Sequence, residues 1–101
     1  MEQEVFNQHL QYMQQVTVET LIQKAKEYAV DGDRLHNFKV AAAVQGISPM
    51  AALAGMMAKH TVSVYDMIGA GETYPMELWE EKIKDNINYL FLLWALLQEE
   101  Q

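Results

Sequence analysis

The stretch that decides the fold of this chain is residues 75–98, PMELWEEKIKDNINYLFLLWALLQ. Proline opens it, no glycine interrupts it, and apolar side chains recur every three or four residues at Ile83, Ile87, Leu90, Trp94 and Leu97. This period predicts a helix whose apolar stripe faces a core. Beyond Asn88 nearly every residue is apolar, and a helix that is apolar all round must be covered all round. We therefore expect a homo-oligomer in which another subunit packs on Phe91, Trp94 or Leu92.

Two helices are predicted in the first half of the chain. The first covers about residues 3–29, and the β-branched Val16-Thr17-Val18 is a place where it breaks in two. Asp31-Gly32-Asp33 ends this helix, and its second aspartate is suited to cap the next one. That second helix runs over about 34–45 and ends at Gly46, a residue that favours the left-handed conformation after a helix.

Two more helices follow. Ser48-Pro49 starts the third, with serine as the cap and proline at the first helical position, and Gly69-Ala70-Gly71 ends it after Ile68. The fourth runs from Pro75 to about Gln98. Because the connections are short and no segment alternates like a strand, we expect one all-α domain over residues 1–101, an antiparallel bundle of about four helices.

The charge of the chain excludes one class of partner. Its 101 residues carry fourteen Asp and Glu against seven Lys and Arg, a net −7. Such a surface repels a DNA or RNA backbone and an anionic membrane, so we expect neither as a partner. Residues 34–70 hold Arg34, Lys39 and Lys59 against Asp66 alone, a net +2. This middle segment is therefore suited to meet a small anion.

Three features of the sequence bear on location. The chain has no cysteine, which suits an intracellular protein. Its N-terminus, MEQEVFNQH, is acidic and polar and lacks the basic and apolar regions of a secretory signal. The longest apolar run, Tyr89 to Leu97, has nine residues, whereas a bilayer span takes about twenty. We expect a cytoplasmic protein.

The start of the second helix offers an anion site. Backbone N–H groups at a helix start favour an anion, and Arg34 adds a bidentate donor. Asn37 and Phe38 lie one turn further on, where the amide reads a base edge and the ring stacks on a base. The competing interpretation is that Asp33 caps the helix, Arg34 is solvated and Phe38 belongs to the core.

Lys59 and His60 lie in the middle of the third helix. His60 shares a face with apolar residues, namely Leu53, Met56, Met57, Val64 and Met67. It is therefore either a core histidine with a satisfied hydrogen bond or a ligand-binding residue. Lys59 lies on a more polar strip, where it either binds a phosphate as a point charge or pairs with Asp66.

Glu81, Asp85 and Asn88 share one face of the fourth helix, roughly opposite the Ile83 stripe. Two carboxylates one turn apart are suited to ligand Mg²⁺, a cation that prefers oxygen. A solvated polar face has the same pattern. The sequence contains no recognisable Ser/His/Asp set, glycine-rich phosphate loop or HExxH motif.

Three blocks of the sequence together resemble a known group of proteins. They are Asp33-Arg34-x-x-Asn37-Phe38, then Lys59-His60 in a methionine-rich helix, then Glu81-Lys82-x-x-Asp85-x-x-Asn88-Tyr89-Leu90. The blocks look like small phage and prophage all-α proteins, which are similar in outline to the MazG-like nucleotide pyrophosphohydrolases. The resemblance covers about residues 20–98. It implies a fold in which acidic pairs on neighbouring helices bind Mg²⁺ and activate water to cleave between the α and β phosphates of a nucleoside triphosphate.

The acidic cluster departs from that family pattern. Glu81-x-x-x-Asp85 is one residue wider than the family's Glu-x-x-Asp, and the earlier Glu-x-x-Glu is missing, since the third helix offers Asp66 alone. Three carboxylates hold a Mg²⁺–triphosphate less firmly than four, and hydrolysis by a metal-bound water needs that cluster. The resemblance therefore implies nucleotide handling more than catalysis.

Our leading expectation is a small, oligomeric, phage-type protein that binds a nucleotide or nucleotide-derived ligand and so sequesters a nucleotide signal of host defence. We assign Arg34, Lys59 and His60 to the phosphate, Asn37 and Phe38 to the base, and Asn88 and Tyr89 to the ligand from the fourth helix. One alternative is a Mg²⁺-dependent nucleoside triphosphate pyrophosphohydrolase with Glu81, Asp85 and Asp66 as metal ligands. The other is a helical adaptor that docks on a protein and takes no small ligand.

Overall fold

A computed structural model describes residues 1–100 of the chain, apart from the side chain of Tyr28. These residues form four α-helices and no strand: α1 (Gln3–Tyr28), α2 (His36–Gln45), α3 (Pro49–Ala70) and α4 (Met76–Glu99). The predicted all-α bundle of four helices is confirmed. Gln101, the last residue of the predicted domain, lies outside the described residues.

The ends of α2 and α3 follow the local chemistry of the sequence. The Ser48 hydroxyl accepts a hydrogen bond from the backbone N–H of Ala51 at 3.1 Å, with Pro49 at the first helical position. Gly46 and Gly71 adopt left-handed φ angles of 68° and 66° and end the two helices. The start of α3 and the ends of α2 and α3 lie within two residues of where the sequence predicts them.

Two helix boundaries differ from prediction. The predicted break at Val16-Thr17-Val18 is wrong, because α1 is continuous and the buried Thr17 hydroxyl donates to the backbone carbonyl of Met13 one turn earlier. α2 begins at His36 rather than residue 34. The Asp33 carboxylate accepts the N–H of Leu35 at 3.0 Å, so it caps the turn that precedes the helix.

The helices pack mainly as α3 with α4, α2 with α3 and α1 with α4. α2 does not lie alongside α3, because the axes of the two helices are bent by 101° at the short break between them. No single helix within residues 1–100 is long and apolar enough to cross a membrane, although this bent pair meets the criteria of length and composition when taken together.

The apolar stripe of α4 does not face the core. Ile83, Leu90 and Trp94 are 41%, 53% and 65% exposed, so that prediction is wrong. The core instead gathers Leu35, Phe38, Leu53 and Leu96, with Met56, Tyr89, Leu92, Leu93 and Ala95 packed against them. Since residues 89–97 are all apolar, α4 has two apolar stripes after Asn88, and the stripe through Leu92 and Leu96 is the one that packs.

Candidate functional site

A cavity of about 460 Å³ lies where all four helices meet. α1 lines it with Leu21 and Lys24, the turn before α2 with Arg34, α2 with His36, Asn37, Phe38, Val40 and Ala41, α3 with Met56, and α4 with Asp85, Asn88, Tyr89 and Leu92. The lining thus combines apolar and aromatic side chains with a small number of polar groups. This composition is typical of small-molecule sites, which measure about 300–1,000 Å³.

One wall of the cavity is aromatic. The Tyr89 ring lies 6.5 Å from the Phe38 ring, measured between centroids, and meets it edge-on at 67°. On its other side Tyr89 lies 5.1 Å from the His60 ring at a tilt of 34°. Such contacts hold the Tyr89 ring in a defined orientation, so this wall is preorganised before any ligand binds.

The α4 side of the cavity is polar. Asp85 and Asn88 lie three residues apart, so they project from one face of the helix. An Asp85 carboxylate oxygen lies 3.5 Å from Nδ1 of His60, an ion pair when the imidazole is protonated, and both side chains are about four-fifths buried. His60 therefore lies behind the Asp85 and Tyr89 wall.

Asn88 has an unsatisfied oxygen. Its residue is 7% exposed, and its Oδ1 has no hydrogen-bond partner within the described part of the chain. A buried acceptor left without a donor costs about 1–3 kcal/mol, so native structures contain few of them. Asn88 itself lines the cavity, so a bound molecule that reaches its amide is one way to supply the missing donor.

Asn86, two residues earlier, differs from Asn88 because both polar atoms of its side chain have hydrogen-bond partners. Its amide nitrogen donates to the carbonyls of His60, at 3.1 Å, and of Lys82, at 2.8 Å. Its oxygen accepts from the hydroxyl of Thr61 at 2.9 Å. Asn86 therefore joins α4 to α3 and sets the rotation of α4 that turns Asp85 and Asn88 toward the cavity.

The turn that carries Arg34 is held by charges from two helices. Lys39 of α2 contacts the Asp33 carboxylate at 2.7 Å and the carboxylate of Glu99, near the end of α4, at 3.0 Å. The hydrogen bond from Lys39 lowers the pKa of Asp33, and the hydrogen bond to Asp33 raises the pKa of Lys39. This clamp positions Arg34 at the edge of the cavity with Lys24 and His36.

Five residues that the sequence assigned to a ligand line this one cavity: Arg34, Asn37, Phe38, Asn88 and Tyr89. His60 contacts the wall from behind. Lys59 is exposed on α3 and does not line the cavity. The side chain that extends the cationic edge from another helix is Lys24.

The carboxylates assigned to a metal are not gathered. Glu81 lines a neighbouring groove with Glu77, Glu80, Lys84 and Thr20, which shares Asp85 and Lys24 with the cavity. Asp66 is exposed near the end of α3. Among residues 1–100, no group of three or more acidic or histidine side chains is arranged to hold a metal ion.

Lys24, Leu21 and Met56 line the cavity but were not assigned to a site from the sequence. Lys24 and Leu21 lie three residues apart on α1, a spacing that places them on one face but does not show which helix they meet. The weak signal for Lys24 is that it is one of two lysines in the first 33 residues, a segment with a net negative charge.

Comparison with known protein families, curated proteins and solved structures finds no match to this chain.

Proposed function

We propose that this protein binds a nucleotide or nucleotide-derived small molecule in the four-helix cavity. The single observation that carries the proposal is the buried, unpartnered Oδ1 of Asn88, a residue that lines the cavity. A neutral apolar ligand would leave that oxygen without a donor. An amino or imino group of a nucleobase supplies one and forms the kind of hydrogen bond on which binding specificity depends.

The other cavity residues suit the remaining parts of a nucleotide. The rings of Phe38 and Tyr89 offer aromatic surface to a planar base, since stacking of this kind accepts any base. Arg34 and Lys24 bring two positive charges to the cavity against one carboxylate, Asp85. Cations of this kind stabilise a phosphate by charge-assisted hydrogen bonds.

Binding without hydrolysis is the form of this activity that the side chains support best. The charge that faces the phosphate comes from the protein's own Arg34 and Lys24. A protein of this kind withdraws its nucleotide from solution. Together with the resemblance to small phage proteins, this leads us to propose an anti-defence role, the sequestration of a nucleotide signal in a bacterial host.

The test is a thermal-shift screen against mono-, di- and cyclic nucleotides, followed by calorimetry on each hit. We expect at least one nucleotide to stabilise the wild-type chain. Asn88→Leu should lose that response, because the variant has no acceptor for the base. Gln98→Leu is the control, since Gln98 is an exposed amide on α4 that does not line the cavity, and this variant should still bind.

Three outcomes would contradict the proposal. Equal nucleotide binding by wild type and Asn88→Leu would show that the cavity oxygen has no part in recognition. The chain can also be incubated with a nucleoside triphosphate and Mg²⁺ and the products separated by chromatography. Release of pyrophosphate or phosphate would show that the protein hydrolyses its nucleotide rather than sequestering it. A protein that responds to no nucleotide and captures a protein partner instead would support the adaptor.

A further inference from the structure

α1 and α4 together present a continuous apolar surface on the side of the molecule away from α3. One groove is lined by Leu10, Met13, Gln14, Thr17, Val18, Ile87 and Phe91. A second groove is lined by Ile87, Leu90, Phe91 and Trp94, so the two share Ile87 and Phe91. We refer to the apolar residues of both grooves as the α1/α4 face.

The N-terminal half of α1 is little buried by the rest of the chain, although the Tyr12 hydroxyl donates to the carboxylate of Glu80 on α4. Every residue from Gln3 to Tyr12 is exposed, including Val5, Phe6 and Leu10. Isolated helices shorter than about 12–15 residues are marginal in water, because helix formation depends on tertiary packing of an apolar face. The exposed half of α1 therefore needs a surface to pack on.

The chain exposes more surface than its size requires. A compact chain of 11.6 kDa exposes about 5,800 Å², whereas this one exposes 7194 Å². Its radius of gyration is 15.7 Å, against about 13 Å for a compact domain of this length. The excess of roughly 1,300 Å² is larger than the approximately 800 Å² that each partner buries in a standard protein interface.

The α1/α4 face is built from the parts of the chain that carry no acidic or basic side chain except His9. Residues 5–18 and residues 86–98 contain no Asp, Glu, Lys or Arg, although the whole chain has a net charge of −7. Covering this face therefore removes no carboxylate from water and brings no two acidic segments into direct contact. An acidic chain that associates with itself needs such an uncharged surface.

We propose that a second copy of this chain covers the α1/α4 face, forming a two-fold symmetric pair. A two-fold interface uses the same patch on both subunits, so the patch must contain both projecting side chains and a recess to receive them. Phe91 and Trp94 project from α4, and the groove between Leu10, Val18 and Ile87 is the recess. In the pair, α1 and α4 of each copy form a four-helix contact.

The first test is the mass of the chain by analytical ultracentrifugation over a range of concentrations. Wild type should have the mass of two chains at micromolar concentration. Trp94→Glu places a carboxylate on the face and should raise the dissociation constant by about 30-fold or more. Tyr65→Glu is the matched control, because Tyr65 is 70% exposed on α3 and Trp94 is 65% exposed, and it should still pair.

A second measurement locates the interface without disturbing it. Trp79→Phe leaves Trp94 as the single tryptophan, and its fluorescence should move to the red on dilution as the pair separates. A wild-type chain that stays monomeric at micromolar concentration would overturn the proposal. So would a pair in which Trp94 remains fully accessible to an aqueous quencher, or one that Tyr65→Glu separates as readily as Trp94→Glu does.

Discussion

The two sides of α4 depart in different ways from what a surface helix ordinarily presents, because polar groups lie among the apolar residues of its packed side and large apolar groups lie on its outer side. The side toward α2 and α3 carries Asp85 and Asn88, whereas the side away from them carries Leu90 and Trp94. A surface helix usually turns its apolar stripe inward and its polar groups to water. Polar groups inside and large apolar groups outside both need partners, which makes each side of α4 a place to look for binding.

The largest difference between the two sides should appear in stability. Leu96, on the packed side, is buried, and Leu96→Ala should lower the free energy of unfolding by about 2–5 kcal/mol because it leaves a cavity. Leu90→Ala, on the exposed side, should change it by about 0.5 kcal/mol or less in the separated chain. Urea unfolding of both variants at a concentration that favours single chains checks this. Equal losses would mean that the outer side is packed within one chain.

The two asparagines of α4 should respond to the same substitution with opposite signs. Asn88→Leu removes a buried unsatisfied oxygen and should raise the free energy of unfolding, by about 1 kcal/mol. Asn86→Leu removes three hydrogen bonds, two of which join α4 to α3, and should lower it by about 1–3 kcal/mol. Thermal unfolding without ligand measures both. A destabilised Asn88→Leu would mean that the side chain has a structural partner.

Two lysines allow the cavity to be compared with the outer surface of the bundle. Lys24 lines the cavity and Lys59 does not. Lys24→Ala should therefore weaken nucleotide binding by about tenfold, the loss of one charge-assisted contact. Lys59→Ala should leave the dissociation constant unchanged. Calorimetry with the nucleotide found in the screen measures both dissociation constants. Weaker binding by Lys59→Ala but not by Lys24→Ala would favour the assignment made from sequence.

The smallest effect should come from the clamp that holds the Arg34 turn. Because Lys39 lowers the pKa of Asp33, this ion pair stabilises the folded chain above the ordinary aspartate pKa of 3.8. The contribution is lost as the pH falls through the lowered, folded-state pKa. Asp33→Asn should therefore be less stable than wild type near neutral pH and indistinguishable from it in strong acid.

A double-mutant cycle isolates the clamp from other effects of the substitution. Lys39→Met removes the lysine partner of Asp33 and should reduce the same pH dependence, while the hydrogen bond from the backbone N–H of Leu35 remains. The double variant should then lose less than the two single losses added together, since both remove one interaction. Additive losses in pH-dependent unfolding would mean that the two residues act separately.

The four helices could be predicted because their ends depend on local chemistry. Ser48-Pro49 caps and starts α3, and Gly46 and Gly71 supply the left-handed residues that end α2 and α3. The rotation of α4 could not be predicted in the same way. With all of residues 89–97 apolar, the periodicity allows more than one inward face, and the choice depends on hydrogen bonds from Asn86 to α3 that no local pattern contains.

Part of the candidate site could be predicted from the sequence for a similar reason. Arg34 lies in the turn before α2, close in sequence to Asn37 and Phe38, and Asn88 and Tyr89 are neighbours on α4, so the sequence supplied two short sets. Lys24 reaches the cavity only because α1 packs on α4, a tertiary contact. Lys59 seemed suitable by charge, but α3 carries it at an exposed position that does not line the cavity.

Because one helix supplies both the cavity and the outer face, we expect the two proposed binding events to be thermodynamically linked. A ligand that shifts or stiffens α4 through Asn88 changes the surface that carries Trp94, six residues further along the same helix. Linkage is reciprocal, so a nucleotide that tightens the pair by some factor must bind the pair more tightly than the single chain by that factor. Nucleotide affinity would then depend on protein concentration, and a cell could set the threshold of response by setting the amount of protein.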